Sequence, residues 1–101
     1  MENIVLLILG IMISVLGMVN ISGNISTIHS YNRKRVRDED IPRYGRIMGV
    51  GSLIIGIALI IAYVMKVMNS SISEDYVLIP ALILGVIVML YGQIRYNKGI
   101  F

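Results

Sequence analysis

Three stretches of this chain carry no charged side chain: Asn3 to Ile28, Ile47 to Met65 and Tyr76 to Ile94. A hydrocarbon core about 30 Å thick is crossed by roughly 20 helical residues at about 1.5 Å each, so every stretch is long enough to span it. The pattern predicts an all-α, multi-pass membrane protein with three transmembrane helices over about 4–26, 41–68 and 75–94. Three crossings use nearly all of the 101 residues. The expectation is therefore a single membrane domain over 1–101 with a basic loop over 29–40, and no separately folded aqueous domain.

Hydrophobic residues make up 56% of the chain and charged residues 15%, and the charges lie between the apolar blocks. A water-soluble chain this small would expose an apolar surface of aggregating size. The net charge of +3 does not point to nucleic acid. Six basic residues, Arg33, Lys34, Arg35, Arg37, Arg43 and Arg46, sit in one segment between two membrane helices, where anionic lipid is the nearer partner. Cysteine is absent, which excludes disulfides and thiolate sites. The opening Met1-Glu2-Asn3 has no basic run before the first apolar block, so that helix is read as retained and not as a cleaved signal.

Charge asymmetry sets the expected orientation. The six bases of the first loop, together with Arg95 and Lys98, mark one side. The other side has Lys66 as its only base, beside Glu2, Glu74 and Asp75. Short basic loops stay in the cytoplasm, which puts the N-terminus outside and the C-terminus inside. Tyr31, Tyr44, Tyr91 and Tyr96 fall near the cytoplasmic boundary, with Tyr63 and Tyr76 near the other, as an aromatic belt would place them.

Local signals refine the helix ends. Asp40 is positioned to cap the second helix, with Pro42 in its first turn where a missing N–H costs nothing. Ser73 is positioned to cap the third, with Glu74 and Asp75 at its positive end. Pro80 then either interrupts that helix or lies in the first turn of one starting near Val77. Small residues recur on single faces: Gly10, Ser14 and Gly17 in the first helix; Gly45, Gly49, Ser52 and Gly56 in the second; Ala81 and Gly85, with Gly92 further on, in the third. Such stripes let helix backbones approach closely, either within one chain or between copies.

The densest polar chemistry runs from His29 to Asp40. Candidate lipid- or partner-binding residues are His29, Tyr31, Asn32, Arg33, Lys34, Arg35 and Arg37, joined on the same side by Arg95, Tyr96 and Lys98. Tyr31-Asn32-Arg33 after the first helix is echoed by Tyr96-Asn97-Lys98 after the third. His29 is the only histidine and has no second ligand at zinc spacing. Adjacent Asp38, Glu39 and Asp40 do not converge as a calcium loop would. No nucleophile, acid–base pair or metal cage assembles, so no catalytic residue, metal or cofactor is expected. The spans have no ionisable group near their midplanes, which weighs against an ion-coupled transporter.

The run Gly23-Asn24-Ile25-Ser26-Thr27-Ile28-His29-Ser30-Tyr31-Asn32-Arg33-Lys34-Arg35-Val36, then Glu39-Asp40-Ile41-Pro42, Tyr44-Gly45 and Gly49-Val50-Gly51, resembles a family of small uncharacterised bacterial integral membrane proteins with a His-Ser-Tyr-x-Arg loop motif. The resemblance covers roughly half of the chain. It implies a bacterial plasma-membrane location and a concentrated motif in the cytoplasmic loop, and no reaction.

The functional expectation is a small accessory or interaction protein of the cell membrane, either a subunit of a membrane assembly or a homo-oligomer joined through its glycine faces. Its partners would be anionic lipid, a membrane protein or a second copy. The alternatives are a small oligomeric channel or transporter, marked by a polar stripe facing a pore, and an immunity or regulatory protein directed at a membrane-active partner. Because the chain has no cysteine, single cysteines report its orientation directly. Ser71→Cys is expected to react with an impermeant maleimide on intact cells, and Gly99→Cys only after permeabilisation; the reverse pattern would invert the topology.

Overall fold

In the computed structural model, which describes residues 2–24 and 36–97, with side chains from Ile4 onward, the chain forms three long helices. They are α1 (Glu2–Ile21), α2 (Ile41–Val67) and α3 (Asp75–Tyr96), with a 3-10 turn at Asp38–Asp40 leading into α2. All three are long and apolar enough to cross a membrane. At about 1.5 Å per residue α2 alone is about 40 Å long, and it accounts for most of the 47 Å length of the molecule.

Each helix end has a local cause. Gly23 takes φ +104°, its N–H donates to the Asn20 carbonyl, and Asn24 N–H donates to Val19. This paired arrangement is a Schellman stop. It ends α1 at Ile21, short of the expected boundary near residue 26, because glycine enters the left-handed region without a Cβ penalty. The same device ends α2: Asn69 has φ +52°, Asn69 N–H reaches Lys66 and Ser70 N–H reaches Met65. Asparagine is among the few side chains that tolerate this conformation.

The starts of α2 and α3 both differ from expectation in their caps. Asp40 stands at the N-cap of α2 without a capping side-chain bond. The preceding 3-10 turn holds it at φ −95°, ψ −7°, outside the extended conformation a capping aspartate adopts. Its carboxylate pairs instead with Arg43 at 3.7 Å. Pro42 lies in the first turn of α2. In α3 the N-cap is Glu74, at φ −61°, ψ −18° and without a capping side-chain bond; Ser73, one residue earlier, accepts from Asp75 N–H through its Oγ at 3.2 Å, and Pro80 lies inside the helix. Of the two arrangements considered for Pro80, the structure adopts the interrupting one, which deprives the Tyr76 carbonyl of its usual donor.

The packing is built on α2. Both α1 and α3 lie against it and have little contact with each other. A Cβ added to Gly10 would meet the Gly56 carbonyl at 2.8 Å, and one added to Gly17 would meet the Gly49 carbonyl at 2.7 Å. Gly49 in turn abuts the Gly17 carbonyl, and Gly56 abuts Ser14. On the other side of α2, Gly51 lies against Met89 and the Gly85 carbonyl, Gly85 against Ile55, and Gly92 against Ile47 and Met48. Partner numbers fall along one helix as they rise along the other, so both pairs are antiparallel. At about 100° per residue, Gly49 and Gly56 share one face of α2 while Ile47, Gly51 and Ile55 cluster on roughly the opposite one.

This interior inverts that of a soluble protein. Its buried hydrophobic residues are Tyr44, Met48, Ala58 and Ala62, whereas Ile8, Met12, Leu16, Ile57, Ile83, Ile87 and many other large aliphatic residues point outward. Small groups inside and large apolar groups outside are what a hydrocarbon solvent selects, since lipid supplies no drive to bury leucine and rewards close backbone approach. Gly56→Leu forces a side chain into α1 and is expected to cost about 1–3 kcal/mol or more. Gly23→Ala, which meets nothing within 4 Å but must hold φ +104°, should cost only about 1–2 kcal/mol. Unfolding in detergent measures both, and equal tolerance at the two positions would contradict the seam.

Candidate functional site

The polar residues gather at the end of the molecule where α1 and α3 finish and α2 begins. Tyr44, from the first turns of α2, is 0% exposed and donates its hydroxyl to Gln93 Oε1 of α3. Gln93 is 6% exposed, Asn97 0% and Asn20 4%. Asn20 Nδ2 donates to the Asn24 carbonyl at 3.0 Å, which ties the end of α1 to its own cap. Around Tyr44 and Met48 lie Val36, Ile41, Met89 and Tyr96. Most buried polar side chains are hydrogen-bonded, and each such bond contributes up to about 1–2 kcal/mol in a membrane interior.

Sequence reasoning placed Tyr44 in an interfacial belt, and the structure removes it from the surface. Met48 and Gly51, four and seven residues on, are buried on the same face, which is turned toward α3 and so does not reach lipid. Tyr91 and Tyr76, by contrast, are exposed. The signal for the Tyr44–Gln93 pair was present: antiparallel helices of matching length bring the start of α2 beside the end of α3. Only the face on which Tyr44 falls was missing.

Charged groups surround this cluster on the solvent side. Arg37 pairs with Glu39 at 3.5 Å, both side chains well exposed, and that pair contributes little to stability; Arg43 pairs with the half-buried Asp40 at 3.7 Å. The Arg95 guanidinium lies 5.8 Å from the centre of the Tyr96 ring. Asp40, Arg43, Arg95 and Tyr96 line one open hollow of about 280 Å³. Of the residues proposed from sequence as lipid- or partner-binding, Arg37, Arg95 and Tyr96 therefore share this end of the molecule. His29, Tyr31, Asn32, Arg33, Lys34, Arg35 and Lys98 lie outside the described residues. Arg43, counted from sequence among the bases of the first loop but not among the candidate binding residues, is the one that joins Arg95 in the hollow.

The proposed packing residues are distributed as follows. Gly10, Ser14 and Gly17 meet Gly49 and Gly56 within one chain. Gly45 is buried and Ser52 half-buried on α2. Gly85 contacts α2, while Ala81 lines an apolar groove between α2 and α3. Among the described residues, Ser14 Oγ is the one buried side-chain polar atom without a hydrogen-bond partner, and it rests against Gly56.

At the opposite end Lys66 Nζ and Glu74 Oε1 are 2.8 Å apart, closing the turn between α2 and α3. The Lys66 hydrogen bond, helped by a backbone bond, holds the Glu74 carboxyl below its usual value. Lys66 thus has a partner that lessens the cost of a base on the side poor in positive charge.

The chain matches the family described as Domain of unknown function (DUF3784) over residues 4–99. No curated protein and no solved structure matches it.

Two measurements follow from this geometry. Tyr44→Phe removes the link to Gln93 and is expected to lower unfolding stability by about 1 kcal/mol, whereas Tyr44→Ala should cost about 3–5 kcal/mol by emptying a filled site. A lowered Glu74 pKa means that its contribution is present above the unfolded value near 4.5 and is lost as pH falls through the depressed folded value. The melting temperature should therefore fall on acidification below pH 4.5 less steeply in Glu74→Gln than in the parent, with no difference in slope between pH 6 and 8. With its three helices, its inverted interior and a match that spans all of them, the chain belongs to the DUF3784 family.

Proposed function

We propose that this protein is a small accessory or interaction protein of the bacterial cell membrane, with its N-terminus outside and its C-terminus in the cytoplasm, and without catalytic activity. It works by presenting an apolar three-helix surface to neighbours in the bilayer and a basic cytoplasmic end to anionic lipid or an acidic membrane partner. The observation that carries this reading is the division of surfaces. Ser14, Asn20 and Gln93 are buried between helices, while the outward faces carry large aliphatic side chains. The channel reading needs a polar face turned toward other copies, and these groups are spent inside the chain.

The glycine stripes bear on how partners dock. Gly10, Gly17, Gly49 and Gly56 are occupied by contacts between α1 and α2 of one chain. Association with a second copy or another subunit therefore uses the large aliphatic faces, and a homo-oligomer joined by those same glycines is disfavoured. Basic residues near an anionic leaflet contribute about 1 kcal/mol each, enough for the loop to hold the cytoplasmic end against the membrane surface.

Neutralising Arg33, Lys34, Arg35 and Arg37 together tests this role. Purification in a gentle detergent, followed by intact-complex mass measurement, is expected to show loss of a co-purifying partner or of bound anionic lipid with the topology unchanged. A change in topology alone would reduce the loop to an orientation signal.

A further inference from the structure

Two features of the α2–α3 pair lie on the same side of it. One is the hollow of Asp40, Arg43, Arg95 and Tyr96. The other is an apolar groove of about 380 Å³ whose walls include Val50, Ile54, Ile57 and Ile61 of α2 and Val77 and Ala81 of α3. Arg43, Val50, Ile54, Ile57 and Ile61 advance by seven, four, three and four positions, so they form one stripe of α2. Val77, Ala81 and Arg95 advance by four and then fourteen, which is close to four full turns, and so share a stripe of α3. The two arginines therefore stand at one end of the line along which the groove runs.

We infer that this line is a seat for one anionic phospholipid, with its phosphate between Arg43 and Arg95 and an acyl chain along the α2–α3 groove. The inference rests on the proposed basic-end reading and makes it specific to a site. The charge is suited to a single phosphate: two guanidinium groups face the hollow against one carboxylate, Asp40, which is already paired with Arg43. Among the described residues Arg95 has no carboxylate partner, and its guanidinium is steadied by the Tyr96 ring. Guanidinium forks bind phosphate oxygens in pairs and lose less hydration than an ammonium would.

The dimensions agree with a lipid. Along α2, Val50 lies about 10 Å from Arg43 and Ile61 about 27 Å. A leaflet's hydrocarbon is about 15 Å deep, so the α2 wall of the groove from Val50 to Ile54 lies at the depth of an acyl chain whose phosphate is level with Arg43, while Ala81 and Val77, about 21 and 27 Å along α3 from Arg95, lie beyond it. Both arginines belong to the end of the molecule where residues 24 and 36 flank the basic loop, and anionic lipid is concentrated on the cytoplasmic leaflet where that loop is proposed to sit.

The test uses the full chain in nanodiscs of phosphatidylcholine with a minor share of phosphatidylglycerol, read by intact-complex mass spectrometry. The parent should retain one phosphatidylglycerol per chain after release from the disc. Arg43→Gln with Arg95→Gln should weaken retention about thirty-fold, at roughly fivefold for each cation removed. Neutralising Arg33, Lys34, Arg35 and Arg37 should reduce loosely held anionic lipid and leave the single retained molecule. Val50→Trp, which fills the near end of the groove, should lower lipid retention without changing the affinity for inorganic phosphate measured by titration. Helical circular dichroism verifies that each variant is folded.

Equal retention by the parent and the Arg43/Arg95 double variant would overturn the seat, while leaving the basic-loop reading intact if the loop variant alone loses lipid. If neither variant changes lipid binding, both readings fail. Retention unaffected by Val50→Trp, together with tight binding of inorganic phosphate alone, would make the ligand a soluble phosphate and overturn the lipid assignment.

Discussion

Everything in this fold depends on how closely backbones approach α2. At Gly17 and Gly49, and again at Gly51 and Gly85, carbonyl oxygens of one helix occupy the space in which a side chain of the other would stand. Hydrocarbon solvates leucine and isoleucine as well as a protein interior does, so burying them gains nothing in a bilayer. Close contact between backbones is what remains to hold the helices together, through dispersion summed over many atom pairs. The absence of side chains at these points is therefore the cohesive feature, and large residues are relegated to the outside.

Placing such a seam on both sides of one helix gives a layered arrangement with α2 in the middle. This gives the basic end its geometry. Because both pairs are antiparallel, α1 and α3 deliver their C-termini to the level at which α2 begins, and the Arg43 and Arg95 side chains line the same hollow. Beneath them, Tyr44 and Gln93 fasten α2 to α3, with Asn97 fully buried nearby. A rigid polar core under a ring of exposed charge keeps cationic groups in place without burying them, which avoids the desolvation cost of a charge inside the membrane.

The three spans were legible in the sequence because an uncharged run as long as Ile47 to Met65 or Tyr76 to Ile94 is what a helix crossing hydrocarbon requires. The spacing of Gly49, Ser52 and Gly56 showed which face of α2 was smooth, though not whether its partner was α1 or another copy. Gly51 falls outside the small-residue stripes, which count only glycine and serine along α2, although Ala58 and Ala62, seven and eleven residues on, share its face and are buried with it. The early end of α1 was also hidden, since Gly23 is followed by Ile25 and Ile28, which extend the apolar pattern past the point where the backbone turns. For the polar end, sequence grouped Arg95 and Tyr96 with the loop by charge and by the repeated Tyr-Asn-base run. That Arg43 shares a hollow with Arg95, and that Tyr44 lies inside, depends on the relative rotation of α2 and α3, which single-helix patterns do not encode.

The decisive property is that the α1–α2 seam closes within one chain. Since the sequence has no cysteine, Ser14→Cys and Gly56→Cys can be introduced as the only pair and oxidised in the membrane, because Ser14 Oγ lies directly against Gly56. Intact-mass measurement after denaturation is expected to show a cross-linked monomer lighter by two hydrogens. A covalent dimer as the dominant product would show that these faces join separate chains and would contradict the central position of α2.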